Sequence, residues 1–323
     1  MKAIHWGIIG CGSVTEVKSG PAFQKAEYSE LVAVMRRDGA LAEDYARRHQ
    51  VPKWTNQAEI VINDSEVDAI YVATPPASHM EYVLAASQAG KPVYVEKPMA
   101  MNLKQCEEMI AACNIANVPL YVAYYRRALP RFLQVKEWLD TGRIGEVRGV
   151  NTVHLSKPSE SELRRESSSW RTNPALSGGG HFHDVASHTL DLLDYLLGPI
   201  DQVQGQSANQ AGLYEADDIV SGVYRFQSGV IGTGLWCFTS NEYKEYTEII
   251  GSHGKIVFST FTEAPIQLIN VDGEQSLIIP NPPHIQQPLI QTIVNELLGL
   301  GICPSTGESA SRTNRVMEQI TRK

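Results

Sequence analysis

In the stretch GKPVYVEKPMA, residues 90–100, a lysine stands between a glutamate and a proline, just after a run rich in β-branched and aromatic residues. An ammonium held at the end of a strand can donate to a substrate oxygen and stabilise charge that develops there. Pro98 removes a backbone donor and keeps Lys97 extended, so the side chain is aimed and not wound into a helix. A solvated surface lysine is the competing reading. The second reactive set lies in GGGHFHDVASHTLDLLDYLLG, 178–198. A helix from about Phe182 to Leu197 places Asp184, His188 and Asp191 on one face at i, i+4 and i+7. An imidazole beside a carboxylate moves protons near neutral pH. Two alternatives compete: Asp184 caps the helix and His188 is a core residue, or His181, His183 and His188 bind zinc, without H-E-x-x-H spacing or a cysteine partner.

A third motif, GIIGCGSVT, suits a phosphate group. Gly10 and Gly12 follow the opening strand and precede a helix, so a pyrophosphate can approach the helix N-terminus; an ordinary strand-to-helix turn is the plainer reading. Thr15 occupies the third glycine position of the usual fingerprint, and Gly20–Pro21 should interrupt the first helix. The second strand should end near Met35, which puts Arg36 where an acidic residue would bind a ribose 2′-hydroxyl. A guanidinium there favours a 2′-phosphate, hence NADP, with NAD as the alternative; Arg37 adds a second contact or stacks on the adenine, Asp38 points the other way if the strand ends later, or both arginines are simply solvated. VATPPASH, 72–79, delivers an extended loop to the carboxyl edge of the sheet, with His79 starting a helix.

These residues need a scaffold. The chain has 323 residues, of which 43% are hydrophobic and 20% charged, enough for two globular domains. AIHWGIIG, ELVAVM, AIYVAT, PVYVE and PLYVAY are apolar almost throughout and alternate with helical patterns, which predicts a doubly wound parallel sheet over residues 1–124. Beyond it come a helix near Leu129–Leu139, the run VRGVNTVHLS and a polar loop. From Val203 to Pro280 strands alternate with the hairpin signals FQSGV, GSHGK and NVDGE. Residues 125–303 therefore read as an α+β domain with a large, mostly antiparallel open sheet for substrate and oligomer contacts. Helices are expected near 287–298 and 308–322, the last (304–323) packing back on the first domain. Five scattered cysteines without C-x-x-C spacing fit reduced thiols in the cytoplasm. The opening MKAIHWGIIGCG has no signal-peptide pattern, and no apolar run reaches membrane-spanning length. A net charge of −8 with dispersed Lys and Arg argues against a nucleic-acid surface.

In order along the chain, GIIGCG, VATPP, VEKP, the Trp170–Arg171 pair, GGG followed by D-x-x-x-H-x-x-D, and the C-terminal STGESASRTNRV resemble the motifs of the Gfo/Idh/MocA oxidoreductases. The resemblance covers essentially the whole chain. It implies a Rossmann domain, a second domain with a large open sheet, a tightly held nicotinamide cofactor and a sugar, polyol or related substrate. It also implies catalytic roles for Lys97, Asp184 and His188. Cofactor contacts are expected from Gly10, Gly12, Ser13, Val14, Arg36, Arg37, Thr74, Pro75, Pro76, His79, Glu96, Lys97, Trp170 and Arg171. Thr15, Arg36, His181 and His183 depart from the family pattern. The expected activity is hydride transfer between nicotinamide and a carbonyl or alcohol, with no metal, in a homodimer or homotetramer. The other reading is a cofactor-binding sensor of the same fold that does not turn over substrate.

Overall fold

The computed structural model describes residues 2–165 and 170–322; residues 166–169 of the polar loop lie outside the described residues. The chain forms two compact units, one built from 1–129 and 282–311, the other from 130–281 and 312–323.

The first unit holds a six-stranded parallel sheet in the order β3-β2-β1-β4-β5-β6. Its strands are β1 Ile4–Ile9, β2 Ser29–Met35, β3 Lys53–Thr55, β4 Ala69–Val72, β5 Val93–Val95 and β6 Leu120–Val122. Every residue of β4, β5 and β6 is buried, as expected of strands covered on both faces. The order reverses between β1 and β4, the switch point at which such sheets bind ligands. Strand β2 ends at Met35 as expected, whereas the three-residue edge strand β3 was not foreseen. The first helix breaks where Gly20 and Pro21 predict: Ser13–Val17 is followed by a second helix, Gly20–Lys25. Residues 282–311 complete this unit. Thr306 bridges Tyr121 on β6, and the Ser305 hydroxyl donates to Val122 O at 2.7 Å.

The second unit holds an eight-stranded sheet. Its strands are β7 Val147–Leu155, β8 Ile200–Ala208, β9 Ile219–Phe226, β10 Ile231–Cys237, β11 Lys244–Gly251, β12 Gly254–Phe258, β13 Ile266–Asn270 and β14 Gly273–Leu277. The order is β14-β13-β12-β11-β7-β10-β9-β8, antiparallel except for β7 beside β10. All three hairpin signals sit between paired antiparallel strands. Alternation is strict on β9 and β10, where Val220, Tyr224, Phe226 and Trp236 are buried while Val223 and Ile231 are 52% and 54% exposed. One face of the sheet is therefore packed and the other open. The helix Gly180–Leu197 packs on the covered face, with Phe182 edge-on to Trp236 at 5.3 Å.

The terminal helix, Gly307–Ile320, is divided between the units: its residues up to Ser311 cluster with the first, in line with the expected return of 304–323, whereas from Arg312 onward it clusters with the second. Arg312 makes two bonds to the buried Asp194 carboxylate, at 2.8 and 2.6 Å. Gly205 lies so close to Ile320 that a Cβ there would come within 2.4 Å of its carbonyl oxygen. The expected boundaries at 124 and 303 stand against transitions after residues 129, 281 and 311.

Candidate active site

The sequence-predicted residues fall into two groups, one in each unit. In the first unit, Gly10 adopts φ +94°, and a Cβ there would meet Thr74 Cγ2 at 2.7 Å and the Ala73 carbonyl at 3.0 Å. Glycine is required by both conformation and space. Gly12 differs. A Cβ on it would meet nothing nearer than Gly10 O at 3.8 Å, so the protein leaves room above the turn that a pyrophosphate fits. Ser13 and Val14 open the short helix that follows. Thr15 is fully buried; its hydroxyl donates to Gly12 O at 2.8 Å, and its own carbonyl accepts from Tyr45 Oη at 2.9 Å. The close backbone approach usually granted by a third glycine has moved to Gly20, where a Cβ would lie 2.1 Å from Tyr45 Oη and 2.3 Å from Thr15 O.

Arg36 leaves the end of β2 beside this turn. Its Nη1 donates to Cys11 O at 3.4 Å, a long bond and the one its guanidinium makes among the described residues. Arg37 is exposed. Asp38 caps the helix Gly39–His49 by accepting from Leu41 N at 3.2 Å, so this acid is engaged in holding a helix.

The 72–79 loop and the Lys97 loop are joined by His79, which starts the helix His79–Gln88 and is completely buried. Its Nε2 lies 2.7 Å from Thr74 O, and its Nδ1 stands 3.1 Å from both Pro98 O and Met99 O. Burial lowers its pKa while these carbonyl oxygens and the nearby Glu96 oppose the shift. Pro75 is exposed, and Pro76 begins a 3-10 turn through Ser78.

Lys97 follows β5 and Glu96, half-buried, with a cis peptide to Pro98. Glu96 is buried and held on several sides. Tyr71 Oη donates to its Oε1 at 2.6 Å, Gln286 Nε2 to the same oxygen at 2.7 Å, and the Lys97 backbone N–H to its Oε2 at 3.2 Å. Tyr94 Oη in turn donates to Gln286 Oε1 at 2.8 Å. Burial first, and the Glu96 charge second, push both tyrosine phenols well above their ordinary range, so both act as fixed donors. Tyr71, Tyr94 and Gln286 were not anticipated. No local pattern marks Gln286, which acts on a residue 190 positions away.

In the second unit the helix bearing Asp184 and His188 begins at Gly180, earlier than the expected Phe182, with Gly179 in the cap position. Asp184 is therefore inside the helix, which removes its reading as an N-cap. Its Oδ2 accepts from Arg171 Nε at 2.9 Å, and the Arg171 guanidinium lies 4.6 Å from the Trp170 ring centre. His188 is buried, with its ring 5.9 Å from that of Phe261. Asp191 is buried and accepts the Thr313 hydroxyl at 3.4 Å. His181 and His183 diverge from His188: His181 bonds Glu162, while His183 packs edge-on to Phe182 and its burial depresses its pKa to about 4. Among the described residues no three His, Cys, Asp or Glu side chains are placed as metal ligands.

A family model described as the NAD-binding Rossmann fold of the Gfo/Idh/MocA oxidoreductases matches residues 4–124, and the model of the family's C-terminal domain matches 132–257. Oxidoreductase P35 of Formosa agariphila is 40% identical over 315 residues, covering 98% of this chain and 97% of that protein. The chain belongs to the Gfo/Idh/MocA oxidoreductase family. The 1,5-anhydro-D-fructose reductase of Ensifer adhaerens is 28% identical, over 94% of this chain and 91% of its own length. A levoglucosan dehydrogenase solved with NADH and levoglucosan shares the fold, with a TM-score of 0.88 at 22% identity, covering 99% of this chain and 96% of that one. The protein is an oxidoreductase with a dinucleotide-binding Rossmann unit, as the sequence motifs imply.

Proposed function

We propose that this oxidoreductase interconverts a secondary alcohol and a ketone, or an alcohol and an aldehyde, on a sugar-like molecule, with NADP as its preferred cofactor. The observation that carries the reading is the mounting of Lys97, half-buried at the end of a fully buried strand and anchored through Glu96 to Tyr71 and Gln286. The activities named for the anhydrofructose and levoglucosan relatives support the substrate class. When bound, nicotinamide supplies or accepts the hydride, for which no side chain is competent. Gly10, Gly12, Ser13 and Val14 would hold its pyrophosphate. Arg36, with Arg37 beside it, would hold the adenosine end; Thr74, Pro75, Pro76, His79 and Glu96 shape the ground from which Lys97 rises, and Trp170 and Arg171 complete the contacts. Lys97 stabilises charge on the reacting oxygen and shares in proton transfer; His188 is the acid/base, with Asp184 setting its orientation. A screen of sugars, inositols and anhydro-sugars against NADP⁺ and NADPH tests this. Tight cofactor binding without turnover of any of them would leave a sensor instead.

The cofactor preference has its own test. The Arg36 guanidinium sits beside the glycine turn with one long internal bond, and Asp38 is committed to its helix cap. A 2′-phosphate gains charge-assisted bonds worth about 1.5–3 kcal/mol, or roughly ten- to a hundredfold in affinity. NADP⁺ should therefore bind more tightly than NAD⁺, and Arg36→Asp should narrow or reverse the ratio. Equal affinities in the wild type, or a ratio unmoved by the substitution, would dispose of the assignment.

The open face of the second sheet, with Val223, Ile231 and Leu235 exposed, supports a homodimer or homotetramer in which a second copy covers it. Replacing Val223 and Ile231 together by Lys should halve the particle mass measured by sedimentation; a wild-type monomer would end this reading. None of the five cysteines forms a disulfide, which supports a cytoplasmic location. Among the described residues no helix is long and apolar enough to cross a membrane.

A further inference from the structure

The departure of His181 from the family pattern gains a role from its surroundings. His181 Nε2 donates to Glu162 Oε1 at 2.6 Å. The other carboxylate oxygen of Glu162 accepts from Ser159 N at 2.7 Å and Ser159 Oγ at 2.8 Å, in a reciprocal capping box that fixes the loop. Burial raises the Glu162 pKa, but the bonds from His181 and Ser159 outweigh it and hold the carboxyl below its ordinary range. The acid is thus an ionised anchor for the ring, and among the described residues nothing bonds His181 Nδ1. The ring packs against Phe238 at 5.4 Å and edge-on to Tyr214 at 5.5 Å. Beyond it, His154 is kept neutral, its pKa near 4 through burial and then the nearby His181.

Glu162 and His181 face a pocket of 370 Å³ whose other walls include Ser156, Lys157, Ser161 and Phe238. That volume is at the small end of ligand sites, suited to one sugar ring and too small for a nucleotide sugar. The wall combines hydroxyls that donate and accept, an imidazole edge, one ammonium and one aromatic face. A neutral polyhydroxylated ring matches this set, since its hydroxyls both donate and accept and its C–H face can lie on Phe238. An anion would meet the Glu162 carboxylate, and an apolar ligand would strip water from the serines without replacing its bonds.

We propose that the Glu162–His181 pair is a hydroxyl-recognition subsite that selects polyhydroxylated substrates, with Glu162 as the positioning residue that orients the imidazole. The proposal rests on the sugar-like substrate reading. It is tested on the NADPH-saturated protein, where an alcohol binds without reacting. Levoglucosan, L-sorbitol and 1,5-anhydro-D-glucitol are titrated calorimetrically, with cyclohexanol as the hydroxyl-poor control. At least one polyol should bind, His181→Leu should weaken it tenfold or more, and Glu162→Gln should weaken it less, while affinities for NADPH and cyclohexanol stay unchanged. His181→Gln keeps a donor for Glu162 and serves equally if the leucine variant does not fold; it too should lose affinity, by a smaller factor. Polyol affinities unchanged in the His181 variants, or no polyol binding to the wild type, would overturn the subsite. His181-dependent binding without turnover of any sugar in the screen would keep the subsite and remove the dehydrogenase, whereas turnover indifferent to His181 would do the reverse.

Discussion

Lys97→Met should fold, bind NADP as tightly as the wild type and turn substrate over roughly a hundred to a thousand times more slowly, the effect of removing one charged donor aimed at a developing oxyanion. The methionine keeps the length and the apolar stem of the side chain, so packing after β5 is preserved. Glu96 remains held by Tyr71 and Gln286, and the backbone bond from residue 97 to Glu96 remains available. Because the lost interaction belongs to the transition state, kcat and kcat/KM should fall together with little change in KM. Steady-state kinetics on any substrate found by the screen read this directly. Wild-type rates would take Lys97 out of the mechanism, and a loss confined to KM would recast it as a binding residue.

His188→Ala should lower kcat by roughly a hundred- to ten-thousandfold, the span of a general acid/base. The imidazole is buried against Phe261, so truncation also removes packing, and a thermal melt on the same sample separates the two consequences. His188→Asn, which keeps a polar group of similar reach, should restore stability without restoring the rate. Exhaustive chelation should leave the wild-type rate untouched. Activity that returned only on adding zinc would support a histidine-bound metal instead, against the divergence of His181 towards Glu162.

Much of this molecule was legible because burial writes itself into local periodicity. Strands β4, β5 and β6 are buried throughout and read as unbroken apolar runs, while β9 and β10 alternate because one face is open. Strand β3, at three residues, is too short to carry a period. The insertion of β7 between β11 and β10 was equally hidden, since pairing partners so distant in sequence leave no local mark. The same limit governed the site. Lys97, Asp184 and His188 lie in dense motifs, whereas Gln286 acts on a residue 190 positions away. Glu162 was within reach, because Ser159-x-x-Glu162 is a capping-box spacing visible in the sequence.

The division of the chain after residues 129, 281 and 311 bears on how this family can be recombined. A crossover near residue 129 that grafts the N-terminal portion onto a relative does not transfer the cofactor unit, because 282–311 remain behind. The foreign segment must then present a glutamine at 286 to satisfy both Glu96 and Tyr94, and a serine at 305 to cap β6. Breeding cofactor preference from one member into another therefore calls for a double crossover, with the distal cassette inherited alongside the first.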